Sequence, residues 1–263
     1  MASQGHTALV TGASAGIGRE LAKLAAQDRR DLVLVARRRD RLEALAAELR
    51  AAHGVAVTVI AADLGQARAA QEICAQVEAA GIEVECLMNN AGFGSFGPFV
   101  RMERTRQLEM IDVNIRALVE LCHLFLPGML RRKHGHILNV ASVAGFVPGP
   151  NMATYYASKA FVVSFTEGLA TELRGSGVSA TASCPGPTAT EFGDIAGNKR
   201  SELFRRGVAE AAPVARHAYR AMLAGRVVAI PGLMNKVLAL SSRFVPRALL
   251  RSGVARLNRP RQP

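Results

Sequence analysis

Short apolar runs, rich in β-branched residues, alternate along this chain with longer segments of helical periodicity. Runs of this kind predict strands at 6–12, 32–36, 55–62, 85–90, 135–142, 178–184 and 227–231. Strands that are apolar at nearly every position are typical of a parallel sheet covered by helices on both faces. With right-handed crossovers, this order predicts a doubly wound α/β sheet of about seven strands in three αβα layers.

The helical segments between the strands set the remaining boundaries. Helices are expected at 16–27, at 40–53 with Asp40 as N-cap, and, as the two longest, near 104–131 and 153–174. No repeat or linker-like composition interrupts the chain before residue 190. We therefore expect one domain over residues 1–231, which includes a loop at 191–213, and a basic helical extension over 232–263.

Composition argues against several classes of protein. The amino-terminal MASQGHTALVTG lacks the charged start and apolar run of a signal peptide, and no apolar stretch predicts a membrane-spanning helix. The cysteines are widely spaced and form no CxxC pair: Cys74, Cys86, Cys122 and Cys184. They are expected to be buried thiols of a cytoplasmic protein. The histidines lack metal-ligand spacing, and His134 and His136 are expected in a solvated loop, so no metal site is predicted.

The net charge of +12 is concentrated at one end of the chain. Through Glu210 there are 23 basic and 21 acidic residues, whereas the remaining 53 residues carry ten basic and no acidic ones. A nucleic-acid-binding protein is expected to be basic over a whole face, often with interleaved aromatic residues. A nearly neutral body with a basic tail does not favour that class of protein.

The first predicted strand runs directly into a glycine-rich turn, TGASAGIG at 11–18, which opens a helix. Glycines there permit a tight turn and a close approach of the backbone to a pyrophosphate, and the helix N-terminus offers free N–H groups to the anion. Glycines alone are weak evidence, but this placement between strand and helix favours a dinucleotide site. Its predicted contacts are Gly12, Ser14, Gly16, Ile17 and Gly18.

The end of the second strand indicates which dinucleotide. An NAD site usually carries an acidic residue about 20 residues past the glycines. Here Arg37, Arg38 and Arg39 follow the strand, and Arg37 could pair with a 2′-phosphate and stack on adenine. NADP(H) is therefore the predicted cofactor, with Arg37 and Arg38 as contacts; a merely solvated loop is the alternative. Asp63 and Leu64 are further predicted contacts, although Asp63 could equally be a helix N-cap.

Two adjacent tyrosines precede a lysine in ATYYASKAF at 153–161. Residues four apart share one face of a helix, so Lys159 lines up with Tyr155 while Tyr156 turns away. A nearby ammonium favours the phenolate and is expected to lower the pKa of Tyr155, which would permit proton transfer near neutral pH. The pair alone proves little, because such spacing also arises by chance.

Other polar residues fall where such a site needs them. Ser142 ends the fifth predicted strand, at the edge of a parallel sheet where ligands bind, and can hydrogen-bond a carbonyl oxygen. Asn114 interrupts a helical segment, MIDVNIRALVEL, where a buried amide needs a partner. After the sixth strand, Pro185 and Gly186 force a turn, and Thr188 could bind the nicotinamide carboxamide.

Together these motifs resemble the series of the short-chain dehydrogenase/reductase family, in its order and spacing, over roughly residues 6–231. The motifs are TGASAGIG, NNAG at 89–92, Asn114, Ser142, YYASK and PGPTAT. The resemblance implies a single-domain Rossmann oxidoreductase in which Tyr155 is the acid–base residue and Lys159 binds the nicotinamide ribose and tunes Tyr155. It further implies that Ser142 orients the substrate carbonyl and that Asn114 holds a water in a proton relay. Implied cofactor contacts also include Asn89, Asn90, Ala91, Pro185, Gly186 and Thr188.

Within that family, NNAGFGSFGPF, CPGPTATEF and the segment 230–250 resemble a bacterial subgroup of ketoacyl or hydroxysteroid-type reductases. The predicted activity is interconversion of a ketone and a secondary alcohol on an apolar or acyl-chain substrate. Phenylalanines in the loops after the strands are consistent with an apolar substrate wall: Phe93, Phe96, Phe99, Phe146, Phe192 and Phe204. Segment 191–213 is expected to be a mobile lid.

The predicted helix at 153–174 is apolar nearly all round, so one side should face the sheet and the other a second subunit. With the family resemblance, this predicts a homodimer or homotetramer, with Tyr156 packed against the sheet or the partner. The tail is expected to be a cap on the body; contact with an anionic membrane surface or with an acidic substrate carrier, such as coenzyme A or acyl carrier protein, are alternatives. The alternative function is an NADP(H)-binding regulatory or membrane-associated protein without significant turnover.

Overall fold

A computed structural model describes residues 6–197 and 208–258, and it confirms the doubly wound parallel sheet. Seven strands lie in the order β3-β2-β1-β4-β5-β6-β9, and each neighbouring pair is parallel. These strands are β1 Thr7–Thr11, β2 Asp31–Ala36, β3 Val57–Ala61, β4 Val84–Asn89, β5 Gly135–Val140, β6 Val178–Ser183 and β9 Val228–Ala229. A separate two-residue pair joins β7 Thr188–Ala189 to β8 Ala209–Glu210.

Helices connect the strands and cover both faces of the sheet. They are α1 Gly16–Gln27, α2 Arg39–His53, α3 Ala69–Ala79, α4 Arg104–Ile111, α5 Ala117–Arg132, α6 Ala153–Glu172, α7 Phe192–Ala196, α8 Ala211–Leu223, α9 Leu233–Ser241 and α10 Arg247–Leu257. Two boundary predictions are corrected. Arg38 rather than Asp40 occupies the N-cap position of α2, and β5 ends two residues before Ser142, which instead caps a short 3₁₀ turn, Val143–Phe146.

Two apolar cores lie on opposite faces of the sheet. One combines side chains of α3, α5 and α6 with the strands, including Ile73, Leu121 and Val162. The other combines α1, α2 and α8 with the opposite strand faces, including Leu21 and Leu42. The six helices together bury nearly every residue of β1 and β2, which is why these strands read as continuous apolar runs.

The strand order reverses between β1 and β4, because β2 and β3 lie on one side of β1 and β4 to β6 on the other. A sheet that winds outward in two directions leaves a crevice at the carboxyl ends of the central strands. The loops that follow β1, β4 and β5 therefore meet at one edge of the sheet. That edge contains the candidate site.

Helices α4 and α5 are continuous through a π-helical turn, Asp112–Arg116, which contains Asn114. The combined helix, Arg104–Arg132, is long and apolar enough to cross a membrane by length and composition, with 39% of its most apolar window buried. Its inner face, including Leu118, Cys122 and Met129, packs into the core, as the central helices of α/β domains do. Length and composition thus give weak evidence for a membrane span.

The tail after β9 forms α9 and α10, and Pro246 occupies the N-cap position of α10. Within these two helices only Ala239 and Val254 are buried. The predicted lid at 191–213 includes residues 198–207, which lie outside the described residues together with Phe204. Its mobility, and the domain boundary at residue 231, stay predictions.

At the amino-terminal edge of the sheet, one buried carboxylate binds three cationic or ionisable groups. Glu85 in β4 contacts Arg30 Nη1 at 2.7 Å, His134 Nε2 at 2.9 Å and His6 Nδ1 at 3.0 Å. Burial would raise the pKa of Glu85, but these hydrogen bonds outweigh it and hold the pKa below its ordinary value. The prediction of a solvated loop was wrong for His136, which lies in β5 and bonds Ser179 Oγ at 2.8 Å.

Sequence spacing also missed that Glu85, His134 and His136 approach one another closely enough to be considered as metal ligands, with ligand atoms within 4.8 Å. The guanidinium of Arg30 already neutralises Glu85 at 2.7 Å and would repel a cation. We therefore interpret the group as an ion-pair network that ties β4 to the residues just before β1, β2 and β5.

Candidate active site

The glycine-rich turn after β1 is compact because side chains are excluded from it. Gly12 has φ +65°, and a Cβ there would lie 2.8 Å from Asn90 Nδ2. A Cβ on Gly18 would lie 2.4 Å from the Gly12 carbonyl oxygen. Both distances are shorter than a carbon contact allows, so the close approach of loop and helix requires glycine. The backbone thereby remains accessible to an anion at the start of α1.

Asn90 braces this turn from the neighbouring strand. Its Nδ2 donates to the carbonyl oxygens of Thr11, at 2.9 Å, and Gly12, at 3.3 Å. In return, Thr11 Oγ1 accepts hydrogen bonds from the backbone N–H groups of Asn90 and Ala91, both at 3.0 Å. Thr11 was not among the predicted site residues, although its place as the first residue of TGASAGIG was the available signal.

A cleft of about 390 Å³ extends along the carboxyl edge of the sheet from this turn. Most of the predicted residues line it: Gly12, Ser14, Gly16, Ile17, Arg37, Arg38, Asp63, Leu64, Asn90, Ala91, Ser142, Tyr155, Lys159, Pro185, Gly186 and Thr188. Gly18, Asn89 and Asn114 are not among the lining residues. The structure thus brings residues from six separate loops to one surface.

Asn89 does not face the cleft, which differs from the predicted cofactor contact. Its side chain is buried, and Nδ2 donates to Asn139 Oδ1 at 2.9 Å and to Cys122 Sγ at 3.3 Å. Successive residues of a strand point to opposite sides, so Asn89 and Asn90 cannot serve the same surface. Asn89 is a core residue beneath the site.

Two arginines line the cleft beyond β2. Arg38 donates to Ser14 Oγ at 3.1 Å and to Glu191 Oε2 at 2.7 Å, so it joins the glycine-rich turn to the segment after β7. Glu191 also binds Arg41, and hydrogen bonds from Arg38 and Arg41 lower the pKa of its carboxyl group. Arg37 is exposed at the cleft. Neither Glu191 nor Arg41 was predicted, because partners 150 residues apart leave no pattern in sequence.

Asp63 follows β3 and lines the cleft, but it is not a helix N-cap. Its Oδ1 accepts a hydrogen bond from the Gly65 N–H at 3.0 Å, and α3 begins six residues later with Arg68 at the cap position. The carboxylate therefore stabilises a turn that ends at the cleft. Asp63 and the adjacent Leu64 line the same cleft as Arg37 and Arg38.

Tyr155 and Lys159 lie on the same face of α6 and line the cleft. Lys159 Nζ lies 5.9 Å from the centre of the Tyr155 ring and donates to the Val140 carbonyl oxygen at 2.7 Å. Ser142 faces the same space, hydrogen-bonds Tyr155, and its Oγ contacts the Pro185 carbonyl oxygen at 3.3 Å. Three side chains that can donate or accept a proton thus converge at one end of the cleft.

Burial dominates the acid–base properties of this group. It raises the pKa of Tyr155 above its ordinary value, and the hydrogen bond with Ser142 only partly opposes that rise. Burial also lowers the pKa of Lys159 to about 8. The expectation that Lys159 lowers the pKa of Tyr155 is therefore not met: the ammonium bonds a backbone carbonyl instead, and Tyr155 stays protonated at neutral pH.

Asn114, in the π-helical turn, connects the loop after β4 to α6. Its Oδ1 accepts from the Phe93 N–H at 3.1 Å, and its Nδ2 donates to the Phe93 carbonyl oxygen and to Ser158 Oγ, both at 3.0 Å. Ser158 in turn donates to the Tyr155 carbonyl oxygen at 2.7 Å. Asn114 thereby positions the loop after β4 relative to the helix that carries Tyr155. Ser158 was missed because serine in a helix gives no distinctive signal.

The wall nearest Tyr155 is apolar. The ring of Phe192 lies 5.1 Å from that of Tyr155, and Phe93 and Met152 line the same part of the cleft. Of the other phenylalanines predicted there, Phe96 packs into a small cluster beside the cleft, Phe146 packs against the core and Phe99 is 64% exposed. The tail completes the wall with Leu238, Val254 and Leu257.

Tyr156 packs against the tail rather than against the sheet, which corrects the sequence prediction. Its hydroxyl accepts a hydrogen bond from Asn258 Nδ2 at 3.2 Å, and Asn258 Nδ2 also donates to the Pro150 carbonyl oxygen at 3.0 Å. The adjacent Asn151 donates to the Asn258 carbonyl oxygen at 2.8 Å. A single buried asparagine therefore attaches the end of α10 to the start of α6.

A family model described as short chain dehydrogenase matches residues 6–200 of this chain. A short chain dehydrogenase of Pseudocercospora fijiensis is 39% identical over 192 residues, which cover 72% of this chain and 62% of that protein. A very-long-chain 3-oxoacyl-CoA reductase of Anas platyrhynchos is 36% identical over 198 residues, which cover 73% of this chain and 62% of that protein. The chain thus spans less than two thirds of the length of these curated relatives.

Solved structures match over nearly the whole chain. A short-chain dehydrogenase from Sphingobium yanoikuyae in complex with NADPH has a TM-score of 0.82 at 35% identity, covering 91% of this chain and 93% of that one. A short chain dehydrogenase/reductase from Burkholderia phymatum in complex with NAD has a TM-score of 0.80 at 30% identity, covering 91% and 92%. Both nicotinamide cofactors therefore occur among similar structures.

Proposed function

Since this chain belongs to the short-chain dehydrogenase family, we propose that it is an NADP(H)-dependent oxidoreductase that interconverts a ketone and a secondary alcohol. The observation that carries the proposal is the convergence of Tyr155, Ser142 and Lys159 at the apolar end of a cleft that begins at a glycine-rich turn. A carbonyl group placed there meets a hydroxyl that can give it a proton. It also meets a second hydroxyl that can orient it.

Tyr155 is the proton donor for ketone reduction in this proposal. Because burial raises its pKa, the phenol is protonated at neutral pH and its O–H bond breaks as the proton passes to the substrate oxygen. Ser142 Oγ donates a hydrogen bond to the same oxygen and orients the carbonyl. Lys159, which is charged below a pH of about 8, places a positive charge 5.9 Å from the centre of the ring on which the phenolate forms. When bound, NADP(H) supplies or accepts the hydride at the carbonyl carbon.

The residues along the cleft fit a dinucleotide. The glycine-rich turn leaves backbone free for a pyrophosphate, and Gly12 and Gly18 have no room for a side chain. Arg37 and Arg38 supply two guanidinium groups at the adenosine end, which suits a 2′-phosphate better than a 2′-hydroxyl. Asp63, Asn90 and Thr188 supply further polar groups along the cleft.

Cofactor choice is tested with neighbouring arginines. Arg37→Ala is expected to raise the KM for NADPH by about 10- to 100-fold, because one charge-assisted contact is lost, and to change the KM for NADH much less. Arg39→Ala is the matched control, since Arg39 pairs with Glu43 at 3.4 Å and does not line the cleft. Preference of the wild-type protein for NADH, or equal effects of both substitutions, would refute NADP(H) as the cofactor.

We propose an apolar or acyl-chain substrate on the basis of the wall formed by Phe93, Met152 and Phe192. The similarity to a very-long-chain 3-oxoacyl-CoA reductase supports this class. The test is NADPH oxidation over a panel of β-ketoacyl thioesters, ketosteroids, aryl ketones and short aldehydes. We expect kcat/KM to rise with the apolar area of the ketone; a preference for short polar aldehydes would contradict the proposal.

The protein is further proposed to act as a homodimer or homotetramer in the cytoplasm. Family members commonly form oligomers, and the outer face of α6 supports the proposal, since Phe161 is 40% exposed and stacks on Phe165 with ring centres 5.8 Å apart. The free cysteines are buried, which suits a reducing compartment. A monomeric mass by light scattering at micromolar concentration would contradict the oligomer, and fractionation of cells tests the location.

A further inference from the structure

The tail exposes more large apolar side chains than any other part of the described chain. In α9 and the turn after it, Leu233 is 78% exposed, Met234 80% and Phe244 80%, and Leu249 in α10 is 64% exposed. Removing each such side chain from water lowers the free energy in proportion to the apolar area that is buried. Exposed apolar side chains concentrated in one short segment indicate a surface that something covers.

The pattern along α9 is amphipathic. Leu233, Val237 and Leu240 follow the spacing i, i+4, i+7 and form one exposed stripe. The inner side of the same helix buries Ala239 and directs Leu238 to the cleft. The stripe therefore faces away from the protein body and is not an extension of its core.

Basic residues border this apolar stripe. Lys236 lies in α9 and Arg243 in the turn that follows it, while Arg247 and Arg251 share one side of α10 at i, i+4. All are exposed, and within residues 6–197 and 208–258 none of them forms an ion pair with an acidic side chain. No acidic residue follows Glu210 to neutralise them.

Three kinds of occupant differ in how well they match this surface. A second copy of the chain in a two-fold contact would bring the same basic side chains together, which is repulsive. An acidic carrier protein would pair with the arginines but would leave Leu233, Met234 and Phe244 in water. A bilayer with anionic headgroups matches both, because phosphates meet the basic side chains and acyl chains receive the apolar ones.

We propose that α9 and α10 dock this protein onto an anionic lipid bilayer. The exposed face of the tail contacts the membrane, and its inner face, with Leu238, Val254 and Leu257, forms the cleft wall. The docked protein therefore holds the mouth of its cleft at the bilayer surface. That an apolar substrate reaches the cleft from the bilayer rests on the proposed function; the docking itself does not.

The test is flotation of the full-length protein with vesicles of phosphatidylcholine alone or with about a third of phosphatidylglycerol, at low and physiological salt. We expect binding only to the anionic vesicles, weakened by salt. Arg243→Ser/Arg247→Ser/Arg251→Ser should weaken it by on the order of 100-fold, since each charge near an anionic surface contributes about a factor of five. Leu233→Ser/Phe244→Ser should weaken vesicle binding by a similar factor, because two apolar side chains would no longer be buried in the bilayer.

A matched control distinguishes docking through the tail from non-specific binding of exposed apolar side chains to vesicles. Phe99 and Val100 are 64% and 89% exposed in the loop after β4, outside the tail. Phe99→Ser/Val100→Ser is expected to leave vesicle binding unchanged. Equal loss in this control, failure of the wild-type protein to bind anionic vesicles at low salt, or binding that the tail substitutions leave intact would each overturn the proposal. A tail-dependent change in mass by light scattering without vesicle binding would assign the surface to a second copy and also overturn it.

Failure of docking and failure of the proposed activity give different results. Tyr155→Phe lies outside the tail and is expected to bind vesicles as tightly as the wild-type protein while losing turnover. Loss of vesicle binding in the tail variants with unchanged turnover on a water-soluble ketone supports docking as a separate property. Turnover without vesicle binding by the wild-type protein refutes docking alone.

Discussion

The two edges of the parallel sheet treat buried charge in opposite ways. At the amino-terminal edge, the Glu85 side chain is 4% exposed and contacts Arg30, His6 and His134 within 3.0 Å. At the carboxyl edge, Lys159 is 5% exposed, yet its Nζ donates to the neutral carbonyl oxygen of Val140. The described part of the chain provides no carboxylate partner for Lys159.

This difference separates residues that hold the fold from residues kept for chemistry. A charge buried among opposite charges is compensated, so the pKa of Glu85 is lowered and the ionised form is favoured. A charge buried without an opposite charge is costly, so the pKa of Lys159 is lowered and the neutral form is favoured. The carboxyl edge thus tolerates an unfavourable group, as functional sites often do.

The largest expected effect distinguishes the two tyrosines at the carboxyl edge. Tyr155→Phe removes the proton donor and is expected to lower kcat by on the order of 10³-fold or more, with little change in the free energy of unfolding. Tyr156→Phe removes a hydroxyl that accepts from Asn258, and kcat should stay within about twofold of wild type. Steady-state rates and urea unfolding test both; retained turnover in Tyr155→Phe would favour a cofactor-binding regulator.

The amino edge should show the converse behaviour. Glu85→Gln leaves Arg30 without its counter-charge and is expected to cost about 3 kcal/mol of unfolding free energy, or roughly 6–12 °C in Tm, with kcat unchanged. Because the pKa of Glu85 is depressed in the folded protein, its contribution is full above the ordinary carboxyl pKa and is lost as pH falls through the folded value. The difference between wild type and variant should therefore shrink in acid.

Glu83→Gln is the control for that substitution, since the Glu83 side chain is 53% exposed and lies 3.9 Å from Arg132. It should cost less than about 0.5 kcal/mol. If Glu83→Gln and Glu85→Gln destabilise equally, or if Glu85→Gln impairs turnover in the folded protein, the division of roles between the two edges is wrong.

Lys159→Met tests the uncompensated charge through its pH dependence. Between about pH 8, where the folded lysine titrates, and its ordinary value near pH 10.4, the unfolded chain binds more protons than the folded one. Wild type should therefore gain stability relative to the variant as pH rises through this window, by up to about 3 kcal/mol. The Cys184 thiol and the Tyr155 phenol have raised pKa values in the folded protein, so they too make stability depend on pH in this window, but they do so in wild type and variant alike and the difference between the two isolates Lys159. Urea unfolding of both proteins at pH 7 and pH 10 measures this gain. If the difference in unfolding free energy between wild type and variant is the same at both pH values, the pKa of Lys159 is not lowered.

The sheet was predictable because burial on both faces leaves a local signal, an apolar run, in each strand. The same holds for Tyr155 and Lys159, whose pairing depends only on helical spacing, and for the glycines of the turn after β1. Local patterns, combined with the rules for parallel connections, are therefore enough to predict the doubly wound sheet. They also predict most of the residues that line the cleft.

What the sequence left open depends on contacts between distant segments. The network of Glu85 and Arg30 joins residues far apart in sequence, and so does the contact of Arg38 with Glu191. The packing of Tyr156 on Asn258 required knowledge of where the tail folds back. The pKa of Tyr155 was predicted in the wrong direction because burial, which spacing does not report, outweighs a neighbouring lysine.

Asn89 and Asn90 give the smallest and most local test, because adjacent residues of the same type serve different purposes. Asn89→Ala removes the donor to Asn139 Oδ1 in the core and is expected to cost about 1–2 kcal/mol of stability without changing the KM for NADPH. Asn90→Ala releases the carbonyl oxygens of Thr11 and Gly12, so the glycine-rich turn loses its brace and the KM for NADPH should rise about 10-fold.

Unfolding free energies and KM values for both variants would show whether the boundary between fold and site falls between these two residues. A rise in KM for Asn89→Ala without loss of stability would restore the contact that sequence predicted for it. Loss of stability in Asn89→Ala together with a raised KM in Asn90→Ala would confirm the boundary. The last residue of β4 then stabilises the core, and the next residue, whose side chain points the other way, shapes the cofactor site.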